Sequence, residues 1–284
     1  MFRNSFKTVI LLAGLGALFM GVGSLFGQGG LIIGLVLGLV FVGGSYWFSD
    51  KVAVRAAGAK PVSEQEAPQL YAIVRDLTQR ADMPMPAIYI APAAQPNAFA
   101  TGRNEHHAAV AVTQGLLQVV DENELRGVLA HEISHVRNRD ILIGSVAATV
   151  ALAITFLARM AMWGALFGGG GGDRDNNGGN IFGMLAMVIL APIAAGLLQM
   201  ALSRSREYEA DRSGAELIGT GEPLASALLK IDAYARQVPM EIDPAHATAY
   251  IINPFSGRKV SFANLYSSHP PTADRVARLR HQHV

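Results

Sequence analysis

A glutamate flanked by two histidines forms the most chemically informative pattern in this sequence. His131, Glu132 and His135 make up an H-E-x-x-H motif. On a helix, residues four positions apart share one face and lie about 6 Å apart along the axis, so both imidazoles could bind one zinc ion. Glu132 could then take a proton from a water molecule that the metal activates and return it to a leaving amine. The motif therefore predicts hydrolysis of peptide bonds.

The residues before the motif predict the helix that this chemistry needs. Asp121 and Glu124 have the spacing of a capping box, in which two side chains bond the backbone N–H groups at a helix start. Apolar residues follow at Leu125, Val128 and Leu129, the spacing of a buried helix face. Without this context, the motif could be a coincidence on an amphipathic helix, with its histidines on the surface or in the core.

A catalytic zinc ion takes three protein ligands, so a third ligand must come from elsewhere in the chain. The sequence has no Cys, which excludes thiolate ligands and disulfides. On a helix, Glu207 and Asp211 would share one face and Glu209 would lie almost opposite. Glu207 could then bind the metal, and Asp211 could accept a hydrogen bond from a ligating imidazole. The alternative is the solvated surface of a charged helix.

The composition predicts a membrane protein, because 51% of the 284 residues are hydrophobic and only 16% are charged. The first apolar segment could be a signal peptide, but its length and the second segment close behind it favour a retained hairpin. The third segment could be re-entrant or protein-facing. Four apolar segments approach the ~20 residues that span a bilayer: residues 8–26, 31–48, 141–158 and 181–202.

Basic residues cluster at the segment ends that lie on one side, which the positive-inside rule makes cytoplasmic. The connections at 27–30 and at the glycine-rich 168–180 then face the other side. The net charge of +1 gives no indication of a nucleic-acid partner. Four parts follow: an N-terminal transmembrane hairpin (1–50), a first catalytic part (51–140), a second hairpin with a glycine-rich loop (141–202) and a second catalytic part (203–284).

Between the hairpins the sequence predicts a helix and a small sheet. Residues 63–80 are amphipathic, with Ser63 and Glu66 as a second capping box. The edge of the sheet could hold an extended substrate peptide, or the sheet could be purely structural. Three strand-like runs carry this prediction, the last two as a hairpin: 87–90, 98–101 and 108–113.

The start of the middle strand is a candidate for substrate contact. Asn97, Ala98 and Phe99 lie where an added substrate strand would run. Asn97 could instead cap a turn, which is a common position for asparagine.

The sequence resembles the HtpX family of bacterial membrane zinc metalloproteases and, more distantly, the CAAX prenyl endopeptidases. The resemblance covers nearly the whole chain, including the layout of four apolar segments. It rests on HEISHVRNRD at 131–140, SREYEADRSGA at 205–215, NAFATG at 97–102, AVTQGLL at 111–117 and SSHPPTADRVARL at 267–279.

This resemblance implies a mainly α-helical membrane protein with four transmembrane helices and a discontinuous cytoplasmic α+β domain of the zincin type. It implies one zinc ion bound by His131, His135 and Glu207, with Glu132 as the general base. It also implies that Asp211 does not bind the zinc ion itself but contacts one of its ligands. It also implies that His269 faces the cleft, where it could stabilise the oxyanion, although a structural role at a loop–helix junction stays open.

The family further implies a multi-pass protein of the bacterial inner membrane with its active site on the cytoplasmic side. Its substrates would be misfolded or damaged membrane proteins, or other unfolded polypeptides. Two other classes stay open from the sequence: a metal-stabilised membrane scaffold or regulator without turnover, and a transporter with an incidental motif. The nearly uncharged apolar segments disfavour transport, and the intact Glu132 disfavours the scaffold.

Overall fold

The computed structural model describes residues 2–24, 27–142, 204–237 and 270–281. His269, the glycine-rich 168–180, the fourth predicted span and all but the first residues of the third predicted span lie outside these ranges.

The chain begins with a hairpin of two helices, α1 (Phe2–Ser24) and α2 (Gly27–Trp47). Within the described ranges, one segment is long and apolar enough to cross a bilayer, and it is Gly27–Gly44 in α2. The corresponding apolar stretch of α1, Leu12–Gly21, is shorter. Large apolar side chains of α2 point outward rather than into a core, as contact with lipid would require. The connection predicted at 27–30 is wrong, because Gly27 to Gly30 form the first turn of α2.

The helix predicted at 63–80 starts later than expected. Glu66 does accept hydrogen bonds from the backbone and hydroxyl of Ser63, each at 2.7 Å. That pair closes a turn before the helix, because Pro68 disfavours a helical conformation at Ala67, where φ is −139° and ψ is 60°. Pro68 then occupies the first helical turn, where its missing N–H costs nothing. The helix α4 therefore runs over Pro68–Arg80, preceded by α3 (Ser49–Ala56) and the short β1 (Lys60–Pro61).

The three predicted strands are confirmed as β2 (Ala87–Ala91), β3 (Ala98–Gly102) and β4 (Ala108–Thr113). A short 3-10 turn joins β3 to β4, and these two strands pair antiparallel, as the predicted hairpin requires. The sheet order is β1-β2-β4-β3, with β2 parallel to β4. The strand β3 therefore lies at one edge of the sheet.

Five described helices follow the sheet and build the core with it. The predicted capping box is confirmed: Glu124 N–H donates to Asp121 Oδ1, and Asp121 N–H donates to Glu124 Oε2, each at 2.9 Å. The two valines of β4, Val110 and Val112, share one hydrophobic cluster with Val128 of the helix that this box starts. The helices are α5 (Gln114–Val119), α6 (Glu122–Arg137), α7 (Arg204–Ile218), α8 (Glu222–Gln237) and α9 (Thr272–His281).

The helices α6 and α7 pack closely enough to require a glycine at their contact. A Cβ atom at Gly214 would lie 3.0 Å from the backbone nitrogen of His131. Glycine at this position allows α7 to lie directly against the part of α6 that carries the H-E-x-x-H motif.

Candidate metal centre

Three side chains from α6 and α7 converge on one point. The Nε2 atoms of His131 and His135 lie 3.1 Å apart. Glu207 reaches both rings through different oxygens: its Oε2 lies 3.6 Å from His131 Nε2, and its Oε1 lies 3.6 Å from His135 Nε2. One nitrogen or oxygen atom from each residue lies within 4.8 Å of the others. The helical spacing predicted for α7 is confirmed, because Glu207 and Asp211 are buried and Glu209 is exposed.

Each imidazole contacts a carboxylate on its other side. His131 Nδ1 lies 2.9 Å from Asp211 Oδ1, the contact that the sequence predicts. His135 Nδ1 lies 3.1 Å from both carboxylate oxygens of Asp140, which sequence reasoning missed. Because carboxylates accept hydrogen bonds, these contacts place the proton of a neutral ring on Nδ1 and leave the Nε2 lone pairs facing the cluster.

Arg275 is the second residue of the site that sequence reasoning missed. It lies on α9, is 1% exposed, and donates hydrogen bonds from Nε and Nη2 to the two oxygens of Asp211, at 2.9 and 2.7 Å. The sequence signal was its place in the stretch at 267–279, which carries part of the family resemblance. An arginine on an amphipathic helix ordinarily indicates a solvated surface, so the residue type alone did not predict that Arg275 is buried.

Glu132 joins the motif helix to the edge strand. It is 6% exposed, and its Oε2 accepts a hydrogen bond from the backbone N–H of Ala100 in β3 at 2.9 Å. The carboxylate predicted as the general base therefore lies on the side of α6 that faces the possible substrate strand.

Comparison with known proteins identifies the family of this buried arrangement. Residues 64–283 match the sequence profile of Peptidase family M48. The chain belongs to peptidase family M48.

Relatives within this family are similar over nearly their full length. The chain is 52% identical to "Protease HtpX homolog" of Syntrophobacter fumaroxidans, over 98% of this chain and 99% of that protein. It is 50% identical to the protein of the same name from Desulforapulum autotrophicum, over 98% and 90% of the two chains. The relative from Thermococcus kodakarensis is 51% identical, over 96% and 94%.

A solved structure of another protein shares the fold. The crystal structure of S. mikatae Ste24p matches with a TM-score of 0.53 and 21% identity, covering 98% of this chain and 66% of that chain.

Together, the M48 match and the HtpX homologues make the chain a membrane zinc metalloprotease, and therefore a hydrolase. They give no support to a transporter or to a silent scaffold.

The donor set of the cluster fits the metal that family M48 implies. Two imidazoles and one glutamate are a known ligand set of catalytic zinc. Two Nε2 lone pairs and a carboxylate that face one another repel unless a proton or a cation lies among them. The tight convergence of His131, His135 and Glu207 therefore suits a divalent cation.

The electrostatics of the described residues agree with this interpretation. Burial opposes the charged form of both histidines, but the surrounding carboxylates outweigh it. Asp211 and Glu207 raise the pKa of His131, and Asp140 with Glu207 raises the pKa of His135 to about 10. Burial alone would raise the pKa of Asp211, yet Arg275 and His131 lower it to about 2. The cluster thus favours positive charge at its centre.

The residues predicted for substrate contact begin the strand β3. Asn97 is buried, its N–H donates to Thr113 Oγ1 at 2.8 Å, and its C=O accepts from Thr113 N–H at 2.9 Å. These bonds fix the start of the edge strand. Ala98 and Phe99 are also buried, backbone and side chain together, so this part of β3 is covered in the described structure. His269 lies outside the described residues.

Proposed function

We propose that the chain is an endopeptidase in which His131, His135 and Glu207 bind one zinc ion and Glu132 is the general base. The observation that carries this proposal is the convergence of the three ligand atoms within 4.8 Å of one another. Beside them lies the buried Glu132, on the same helix as the two histidines. Zinc bound there supplies a Lewis acid that polarises the scissile carbonyl and makes an attacking water more acidic.

The protein groups divide the remaining work. Glu132, held by the Ala100 N–H, accepts the proton of the attacking water and passes it to the leaving nitrogen. Asp211 holds the imidazole of His131 in one tautomer and orientation. Water attacks directly in this scheme, so no covalent acyl-enzyme forms.

The edge strand β3 is the proposed substrate platform. An extended peptide would add to its outer edge by backbone hydrogen bonds, near Asn97, Ala98 and Phe99, once these buried residues are uncovered. The hydrogen bond between Ala100 and Glu132 brings this edge next to the general base, so a bound peptide would present a peptide bond to the same place. His269 remains the proposed stabiliser of the oxyanion.

The substrates that we propose are misfolded or damaged membrane proteins and unfolded polypeptides at the membrane surface. The guanidinium of Arg103, in the turn after β3, lies 4.8 Å from the ring centroid of Trp47 and donates to its backbone oxygen at 3.0 Å. Trp47 ends α2, the apolar helix, and tryptophan commonly marks the interface of a bilayer. This contact supports a site close to the membrane surface.

The proposed layout has four spans, a catalytic domain divided into 51–140 and 203–284, and a cytoplasmic active site in a bacterial inner membrane. The distribution of basic residues supports this orientation.

The test uses the full chain in detergent, stripped of metal with a chelator and titrated with zinc in the presence of casein. Glu132→Gln should bind zinc but lose at least about 100-fold in cleavage rate, which is the contribution typical of a general base. Glu207→Gln should lose both cleavage activity and zinc affinity. The matched control is Glu209→Gln, two residues along α7 and exposed, which should behave like the unmodified chain. Full activity of Glu132→Gln, or zinc binding unaffected by Glu207→Gln, would refute these assignments.

A further inference from the structure

The chain reverses direction immediately after the motif helix. The helix α6 ends at Arg137, and Arg139 adopts the left-handed conformation with φ of 57°. The N–H of Asp140 then donates to the carbonyl of His135 at 3.2 Å. This turn brings the Asp140 side chain back to the ring of a residue that lies five positions earlier.

The resulting contact is buried and symmetric. Both carboxylate oxygens of Asp140 lie 3.1 Å from His135 Nδ1, and the Asp140 side chain is 3% exposed. The neighbouring Ile141 is buried and packs with Val136 and Ala108, which holds the turn against the body of the domain. Arg139 points elsewhere, with its guanidinium 3.6 Å from Glu105.

We propose that Asp140 is a positioning residue for the metal centre. By accepting the Nδ1 proton of His135, it fixes the tautomer and the orientation that direct Nε2 toward His131 and Glu207. Asp140 thus does for His135 what Asp211 does for His131, but from the turn that ends the same helix. The inference rests on the proposed zinc site.

The position of Asp140 also links the proposed metal centre to the segment that follows it in the chain. Asp140 directly precedes the segment predicted to enter the membrane for the third time. The residue that orients one ligand is therefore the last residue of the first catalytic part. A movement of the segment that starts at Ile141 would displace Asp140, the residue bonded to it, and would therefore change the contact between Asp140 and His135.

The experiment compares zinc affinity in three variants of the full chain in detergent, by competition with a chromophoric zinc chelator. Asp140→Ala removes the acceptor and should weaken zinc binding about 10- to 100-fold. Asp140→Asn keeps an acceptor oxygen but removes the charge, so it should weaken binding by less. The matched control, Arg139→Asn, changes an exposed neighbour to a residue that tolerates the left-handed conformation, and should bind zinc like the unmodified chain.

A second readout separates positioning from folding. Cobalt replaces zinc, and its ligand-field absorption reports the geometry of the ligands. The Asp140→Ala and Asp140→Asn spectra should differ from that of the unmodified chain, whereas the Arg139→Asn spectrum should match it. If Asp140→Ala does not fold, the affinity and spectrum of Asp140→Asn decide the question alone.

Two results would overturn the inference, and they differ in what else they overturn. If the unmodified chain binds zinc and the folded Asp140 variants bind it equally well with the same cobalt spectrum, Asp140 has no positioning role and the zinc site stands. If the unmodified chain binds no zinc, the proposed metal centre fails together with the inference.

Discussion

Arg275 and Asp211 form a buried, bidentate ion pair that connects the last described helix to the candidate metal centre. The guanidinium donates from Nε and Nη2 to the two carboxylate oxygens at 2.9 and 2.7 Å, and Asp211 in turn lies 2.9 Å from His131 Nδ1. The orientation of His131, a predicted zinc ligand on α6, therefore depends on α9, which lies near the C-terminal end of the sequence.

Replacing Arg275 should destabilise the protein and weaken zinc binding together. Arg275→Gln leaves the carboxylate of Asp211 buried without its cation, and breaking a buried pair in this way costs roughly 3–5 kcal/mol. Thermal unfolding of the chain in detergent, with and without zinc, measures the loss. The matched control is Arg280→Gln on the same helix, whose exposed pair with Glu222 should contribute little to stability, because solvent screens it. Equal melting temperatures for the two variants would contradict the role given to Arg275.

Zinc binding should release protons at neutral pH. Zinc binds the neutral form of histidine, but Asp140 and Glu207 outweigh burial and raise the pKa of His135 to about 10 in the metal-free centre. The ring is therefore protonated at pH 7 until zinc displaces the proton, and zinc affinity should fall further as the pH is lowered. Calorimetric titrations in two buffers with different ionisation enthalpies measure the number of protons released. Identical heats in the two buffers would show that the metal-free His135 is already neutral.

Glu124 should contribute stability that depends on pH. Its buried carboxylate accepts hydrogen bonds from Ser226 Oγ at 2.6 Å and from Lys230 Nζ at 2.7 Å, joining α6 to α8. Burial opposes ionisation, but these bonds outweigh it and lower the pKa below the ordinary value of 4.5. A carboxylate with a lowered folded-state pKa stabilises the fold fully above its ordinary pKa, and this contribution is lost as the pH falls through the lowered value.

The Glu124→Gln variant tests that prediction. At pH 7 the free energy of unfolding should drop by roughly 1–3 kcal/mol, because a buried hydrogen-bonded charge is lost. The difference from the unmodified chain should shrink as the pH falls below 4.5. Unfolding in urea at several pH values provides the measurement, with Glu122→Gln, an exposed residue of the same helical turn, as the control. A difference that stays constant with pH would exclude an ionised Glu124.

The contact between Arg103 and Trp47 should matter for substrates held in a membrane. Its cation–π geometry is worth about 0.5–1 kcal/mol at an exposed site, and it joins the turn after β3 to the end of α2. Arg103→Ala should leave zinc affinity and casein cleavage unchanged. In proteoliposomes it should lower the cleavage of an unfolded tail attached to a single apolar span by a few-fold. An equal effect on both substrates would mean that the contact supports the catalytic domain itself.

Local spacing in the sequence was sufficient to predict the motif helix and its start. Asp121 and Glu124 bond each other across one helical turn, and His131 and His135 share a face because they are four residues apart. The same periodicity predicted that Glu207 and Asp211 would lie together. These are interactions between near neighbours, and the helix geometry that governs them does not depend on the rest of the fold.

Other features depend on contacts that spacing does not encode. The helix α4 was predicted correctly except for its start, because Pro68 moves the start past a correctly predicted pairing of Ser63 with Glu66. The role of Asp140 requires a left-handed turn at Arg139, a conformation that arginine rarely adopts.

The sequence by itself determined which helix carries the two histidines and which residues are the candidate zinc ligands, since both follow from residue type and helical period. Only the tertiary structure decided how these residues are held. The burial of Arg275 is the clearest case: a charged side chain is stable in the interior only where folding supplies its partner, and Asp211 lies 64 residues away in the chain.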